Sequence, residues 1–186
     1  MPVRHIVFSN EPELHEPSRR VRRIDEDVEE LIEDMIETMR AADGIGLAAI
    51  QIGVPERVIV VEIPAVSEPT DEGTEEPLET ELHVLVNPEL VSVSDELVEG
   101  IEGCLSVPGW VGEVERHQGV TVEGLDRSGR KIRIHADGLL ARVFQHEVDH
   151  CEGVLFIDHI DDSEKIWRVK EGQEEAAEAA QELPSD

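Results

Sequence analysis

The sequence predicts an α+β fold: antiparallel β-sheets around a central helix carrying a His-Glu-x-x-His motif, with one further helix towards the N-terminus and one towards the C-terminus. Three observations lead there. Two long segments place apolar residues at helical spacing between plausible caps. Strand-like runs lie before and between them without the regular strand–helix–strand alternation of a parallel sheet. Asp126-Arg127-Ser128-Gly129 is a turn of the kind that joins two adjacent antiparallel strands.

Taken in order, Asp25 to Asp43 reads as an amphipathic helix. Val28, Leu31, Ile32, Met35, Ile36 and Met39 recur at steps of three and four, Asp25 stands where an N-cap belongs, and Gly44 ends the run. That stripe is core. In Gly44-Ile45-Gly46-Leu47-Ala48-Ala49-Ile50-Gln51 the glycines permit unusual backbone angles or the close approach of a ligand. The segment is not a phosphate loop, because it lacks the Lys-Ser/Thr ending and follows a helix. Arg57 to Ile63 is a β-branched strand, and Pro64 to Glu81 an acidic solvated loop. Further strands are expected at Leu82–Val86, Leu90–Val93, Gly119–Leu125 and Lys131–His135, the last two forming the hairpin. The motif helix runs from its N-cap Asp137 to near Gly153, with Leu139, Leu140, Val143 and Phe144 as apolar residues. A final helix is expected from Asp162. Residues 1–170 then form one catalytic domain, and the acidic, Ala-rich residues 171–186 a frayed or disordered tail.

Composition narrows the partners. The chain of 186 residues is long enough for a good core, built mainly from Val, Ile and Leu because it has two Trp, three Phe and no Tyr. Its formal charge is -28, from 44 acidic and 16 basic residues, and the only lysines are Lys131, Lys165 and Lys170. Such a chain is repelled by nucleic acid and by anionic membranes. Runs such as Arg57-Val58-Ile59-Val60-Val61 argue against an acidic disordered protein. An acid-coated folded protein suits a halophilic cell with molar internal salt, where the Debye length falls to about 3 Å. No apolar run is long enough to span a bilayer and no signal-peptide core is present, so a cytoplasmic location is expected. In that reducing compartment Cys104 and Cys151 stay unpaired.

The chemistry lies in Gln145-His146-Glu147-Val148-Asp149-His150. Residues four apart share a helix face, so His146 and His150 can bind one metal ion. Glu147, turned by one helical step, reaches a water at that ion without ligating it. A metal-dependent hydrolase follows. The third protein ligand stays open on spacing alone: Glu164 or Glu171 downstream, or Cys104 upstream in Glu102-Gly103-Cys104-Leu105-Ser106. Cys151 points away from the metal face and reads as a small buried apolar residue.

The three segments Gly44–Gln51, Glu102–Ser106 and Gln145–His150, in this order, resemble the peptide deformylases. So do Val86-Asn87-Pro88, Ala136-Asp137-Gly138-Leu139-Leu140-Ala141 and Gly153-Val154-Leu155-Phe156, and the likeness runs from Val3 to Trp167. Pro108-Gly109-Trp110 resembles the bacterial-type branch. The resemblance implies one divalent metal ion on Cys104, His146 and His150. Ferrous iron is the expected ion, with zinc, nickel or cobalt as alternatives. It implies hydrolysis of N-formylmethionyl peptides to formate, with Glu147 moving protons and Gln51 and the Leu105 N–H holding the oxyanion. Ile45, Gly46, Gly103, Leu139 and Val143 would bind substrate, the Glu102–Arg116 ion pair would brace the Cys104 loop, and a monomer would meet nascent chains at the ribosome. The acidic stretch between the early strands is longer than the family's pattern, and His15 stands where Arg is commoner. The rival readings are a deacylase for another N-formyl or N-acyl amine, a metalloendopeptidase using Glu164 or Glu171, and a non-enzymatic metal-binding or ribosome-associated module.

Overall fold

The computed structural model describes residues 3–64 and 80–169. Helix α1 spans Glu26–Ala41, and the Asp25 carboxylate accepts from the Val28 N–H at 3.4 Å, the cap expected from sequence. Its stop differs in detail. Asp43, not Gly44, takes the left-handed conformation (φ 53°), and the Gly44 N–H returns to the Met39 carbonyl at 2.9 Å. A Cβ on Gly44 would lie 2.9 Å from Leu105 Cδ1, so glycine serves here for room rather than for φ.

Strand β1 (Gly46–Ala48) follows directly, and a 3-10 turn at Ala49–Ile52 carries Gln51. Strand β2 (Val58–Pro64) pairs antiparallel with both β1 and β3 (Thr80–Val93). With strands β6 (Gly119–Leu125) and β7 (Lys131–Asp137) they form a five-stranded sheet in the order β1-β2-β3-β6-β7. Val58 and Val60 of β2 join the core of α1, whereas Ile59, Val61 and Ile63 join the core on the other side. Burial on both faces explains the unbroken apolar run. The predicted strands Leu82–Val86 and Leu90–Val93 are one strand with an irregular register between Val86 and Glu89. Asn87 adopts φ 56° there and its side-chain amide clasps the Val21 backbone (2.8 and 2.9 Å), while Pro88 offers no N–H to the ladder. The hairpin turn is as expected, with Gly129 at φ 79° and the Asp126 carboxylate accepting from the Ser128 and Arg130 N–H groups.

A second, three-stranded sheet consists of β4 (Leu97–Gly103), β5 (Trp110–His117) and β8 (Ile166–Arg168), in the order β4-β5-β8. Sequence patterning misses β4 and β5, whose apolar alternation is broken by Gly100, Glu102, Gly112 and Glu115. The helix expected from Asp162 is corrected: Asp162 caps a 3-10 turn, Ser163–Lys165, and the chain then pairs with the edge of β5. Ile166 and Trp167 suit a pleated surface, and the Arg168 guanidinium lies 5.3 Å from the centre of the Trp110 ring. The tail 171–186, and the loop expected between Pro64 and Glu81 over residues 65–79, lie outside the described residues.

Helix α2 (Gly138–Cys151) lies between the two sheets. Ala141, Phe144 and Val148 pack with Ile59, Val61 and Val122 of the five-stranded sheet, and the same core takes in Val114 of β5 and Phe156. Asp137 occupies the N-cap position but makes no side-chain cap bond. Gln145 instead pins the helix sideways, accepting from the His117 N–H (3.1 Å) and donating to its carbonyl (2.9 Å). Among the described residues no helix is long and apolar enough to cross a membrane.

Candidate metal centre and cavity

Helix α2 presents His146 and His150 on one face, and the turn after β4 brings Cys104 to them. Their ligand atoms lie within 4.8 Å of one another. His150 Nε2 is 3.2 Å from His146 Nε2 and 3.3 Å from Cys104 Sγ. His146 Nδ1 lies 2.9 Å from a Glu102 carboxylate oxygen, which fixes the proton on Nδ1 and leaves the Nε2 lone pair facing His150. Two imidazole lone pairs and a sulfur aimed at one point repel unless a cation lies between them. Ligands about 2.0–2.3 Å from one tetrahedral ion are about 3.3–3.6 Å apart, close to the spacing found. The donor set therefore fits a divalent metal.

Glu102 is the hub behind that set. Its carboxylate receives Arg116 through two N–H groups (2.8 and 3.0 Å), Arg142 Nη1 (2.9 Å) and His146 Nδ1. Burial alone would raise its pKa, but the Arg116 and His146 hydrogen bonds outweigh that and hold it well below the usual carboxylate range. Arg116 also bonds Asp149 at 2.5 Å, and Asp149 meets His159 at 2.7 Å. The predicted Glu102–Arg116 pair is thus one link of a buried network.

Glu147 is 3% exposed, and its Oε2 has no partner among the described residues. Burial pushes its pKa up to about 7; Glu102 and Asp149 push the same way and His146 opposes them. The carboxylate lies against Gly46, where any Cβ would collide with Oε1. The glycine thus makes room for the protein's own acid.

Gln51 is buried. Its Oε1 accepts from the Ala48 N–H (2.8 Å), which turns Nε2 towards Ser106 Oγ (3.2 Å) and Cys104 Sγ (3.5 Å). The N-terminal segment staples this arrangement from behind: the Val7 N–H donates to the Gln51 carbonyl and the Ser9 N–H to the Ser106 carbonyl, both at 2.8 Å.

A cavity of about 540 Å³ opens over these groups. Ile45, Gly46, Gly103, Leu105, Leu139 and Val143 line it together with Gln51, Cys104, His146 and Glu147. His150 and Arg116 lie behind it, both buried. Glu164, the alternative ligand, sits exposed on the 3-10 turn outside the ligand cluster, and Glu171 falls outside the described residues. Both cysteines are free, and Cys151 is fully buried, its thiol pushed up to about 12 by burial. Sequence reasoning passed over Arg142, Asp149, His159 and Ser106. Arg142 and Asp149 carried a usable signal, since they stand four before and three after His146 on the same helix face.

The family model of the polypeptide deformylases matches residues 3–166. The chain is 49% identical to a peptide deformylase of Thermomicrobium roseum over 181 residues, covering 97% of this chain and 98% of that one. It is 44% identical to a peptide deformylase of Agrobacterium fabrum, covering 86% and 88%. The crystal structure of a peptide deformylase from Ehrlichia chaffeensis superimposes with a TM-score of 0.78 at 36% identity, covering 88% of this chain and 90% of that one. One from Synechococcus elongatus, in complex with actinonin, gives 0.75 at 39%, covering 88% and 81%.

Proposed function

We propose, from the premise that this chain belongs to the peptide deformylase family, how its own residues perform the family's reaction: metal-dependent removal of the N-formyl group from N-formylmethionyl peptides, with release of formate. The observation that carries the proposal is the convergence of Cys104, His146 and His150 beside the buried carboxylate of Glu147, with Cys104, His146 and Glu147 lining the cavity. Cys104, His146 and His150 hold one divalent ion. When bound, that ion supplies Lewis acidity toward water and the formyl carbonyl.

Glu147 accepts the proton of the attacking water, for which a pKa near neutrality suits it. As the water oxygen bonds to the formyl carbon, charge develops on the carbonyl oxygen, and the Gln51 amide and Leu105 N–H face it. One such donor is worth about 3 kcal/mol in a transition state. Glu147 then passes the proton to the amine nitrogen, the C–N bond breaks, and formate and a free N-terminus leave. Ile45, Gly46 and Gly103 hold the peptide backbone, and Ile45, Leu139 and Val143 enclose the methionine side chain. Glu102 and Arg116 keep His146 in its metal-binding tautomer.

Thiolate and imidazole ligands do not discriminate among the divalent ions, and we assign ferrous iron from the family resemblance. Residues 1–170 act as one catalytic domain, a cytoplasmic monomer working on nascent chains. The acidic coat suits molar salt: the unfolding midpoint should fall between molar and low KCl, and an unchanged midpoint would remove the halophilic reading.

The test of function compares three peptides. Protein purified anaerobically in high KCl and loaded with ferrous iron or nickel should release formate from formyl-Met-Ala-Ser, and Glu147→Ala should not. Acetyl-Met-Ala-Ser and an unblocked longer peptide should stay intact. Turnover of the acetyl peptide but not the formyl one would move the substrate to another N-acyl amine; cleavage inside the longer peptide would indicate an endopeptidase.

A further inference from the structure

Residues three apart eclipse one another in a 3-10 turn, so Phe156 and His159, the ends of the turn Phe156–His159, project from it on one side. Both reach the helix that carries two metal ligands. The Phe156 ring stacks on the His146 ring, with centres 6.2 Å apart and planes 21° apart. His159 Nε2 lies 2.7 Å from Oδ2 of Asp149, which stands between His146 and His150 on α2. The turn is anchored on either side. The Asp158 carboxylate accepts from the Leu155 N–H at 2.8 Å, and the Ile160 side chain occupies the place that a Cβ on Gly112 of β5 would take. Asp149 Oδ2 also accepts from Arg116 Nη1 at 2.5 Å, so the carboxylate is the acceptor in both contacts and His159 carries its proton on Nε2. From there the hydrogen bonds run unbroken to the metal ligand. Arg116 gives Nε and Nη2 to the two oxygens of Glu102 (2.8 and 3.0 Å), and Glu102 Oε2 faces His146 Nδ1 at 2.9 Å. Donors and acceptors alternate along the row His159, Asp149, Arg116, Glu102, His146.

We propose that His159 is a positioning residue of the metal centre: by donating to Asp149 it locks Arg116 against Glu102, and so holds the ring of His146 in its metal-binding orientation. The inference rests on the reading of Cys104, His146 and His150 as the ligand set. Three features favour this role over a passing surface pair. The His159 ring projects from a turn fixed on both sides, the same turn whose Phe156 backs His146. The Arg116 guanidinium is a rigid plane engaged through three nitrogens, so a shift of Asp149 must turn it and carry Glu102 along. The inner members Glu102 and Arg116 are buried, where linked hydrogen bonds polarise and strengthen one another. The His159 side chain, by contrast, is 37% exposed, so replacing it opens no core cavity and a change at the metal is not a by-product of unfolding.

The test loads the full chain with cobalt, whose visible absorption reports ligand geometry, and measures metal affinity by competition with a chelator alongside KM for formyl-Met-Ala-Ser. His159→Phe keeps a ring and removes the donor. Its metal affinity should fall about 10-fold, the lower end of the range for partners that orient a metal ligand, and its absorption band should shift. KM should not change, because His159 does not line the cavity. His159→Gln keeps an N–H donor at similar reach and should bind metal almost as wild type does. Arg116→Met cuts the row at its middle, and in that background His159→Phe should add nothing, since two groups acting through one chain of contacts are not additive. Wild-type affinity in His159→Phe, equal losses in the Phe and Gln variants, or a full further loss in the Arg116→Met background would each overturn the proposal and leave His159 a surface partner of Asp149. If Arg116→Met does not fold, the Phe and Gln variants still decide. A wild type that retains no metal would instead overturn the ligand-set reading, whatever the variants do.

Discussion

In the five-stranded sheet, β2 buries Val58, Ile59, Val60 and Val61 between two helices. In the three-stranded sheet, β4 and β5 bury Glu102 and Arg116, a carboxylate and a guanidinium. The two sheets grip the same helix α2 from opposite sides with opposite materials. A fully buried aliphatic side chain contributes about 1.5–3 kcal/mol without dictating where its neighbours point. A buried ion pair recovers little net stability, because desolvation consumes much of its attraction, but its hydrogen bonds fix direction. One sheet therefore supplies burial and the other aims His146. The site occupies the second, where stability has been exchanged for geometry.

The largest separation between the two regions is expected at Glu147. Glu147→Gln should lower kcat about 10³-fold, the range for a lost general base, with metal content unchanged. The same substitution should stabilise the metal-free protein at alkaline pH. Burial, aided by Glu102 and Asp149, raises the folded pKa to about 7, above a carboxylate's ordinary value of about 4.3. The stability of the wild type is then complete below the unfolded pKa and is lost as pH rises through about 7. Above that pH a neutral Gln should gain up to about 3 kcal/mol, and at pH 4 nothing. Urea midpoints at the two pH values measure this, and a gain of equal size at both would refute the buried-charge account.

Next in size is a paired comparison. Ile59→Ala in the apolar sheet should cost 2–5 kcal/mol, roughly, and leave metal affinity alone. Arg116→Met should cost about 3–5 kcal/mol by breaking the buried Glu102–Arg116 pair, and should also weaken metal binding about 10–100-fold by loosening the Glu102 carboxylate that orients His146. Chelator competition on folded protein separates the two effects. Equal metal affinity in both variants would dissolve the division of labour drawn above.

The smallest expected effect contrasts the two thiols. Cys151, in the apolar core with its thiol pushed up to about 12, should resist alkylation at pH 8 in folded protein. Cys104, at the cavity, should react once metal is removed and be protected when metal is restored. Alkylation of Cys151 at a similar rate would show that the core behind α2 opens readily.

The same contrast governs what was legible in the chain. The α1 stripe, β2, the β6–β7 hairpin and the His146–His150 helix follow from periodicity, because burial imposes a period. Strands β4 and β5 do not, because Gly100 serves Arg142 and Gly112 leaves room for Ile160 and Phe156 rather than for an alternating face. The three-ligand set was reachable only through the family resemblance, since spacing left Cys104, Glu164 and Glu171 as equals. Burial of Gln51 depends on the Ala48 N–H and Ser106, contacts no spacing rule encodes. The missed strand β8 had a weak signal in Ile166-Trp167, overridden by the acidic, helix-favouring residues beyond it.

Metal content and formate release measured together on wild type and Glu147→Gln test the central claim most directly. The account predicts one metal ion per chain in both proteins and formate from formyl-Met-Ala-Ser only with the wild type. Undiminished turnover by Glu147→Gln, or loss of the metal from it, would contradict the assignment of Glu147 as the proton-transferring group beside an independent Cys104–His146–His150 metal site.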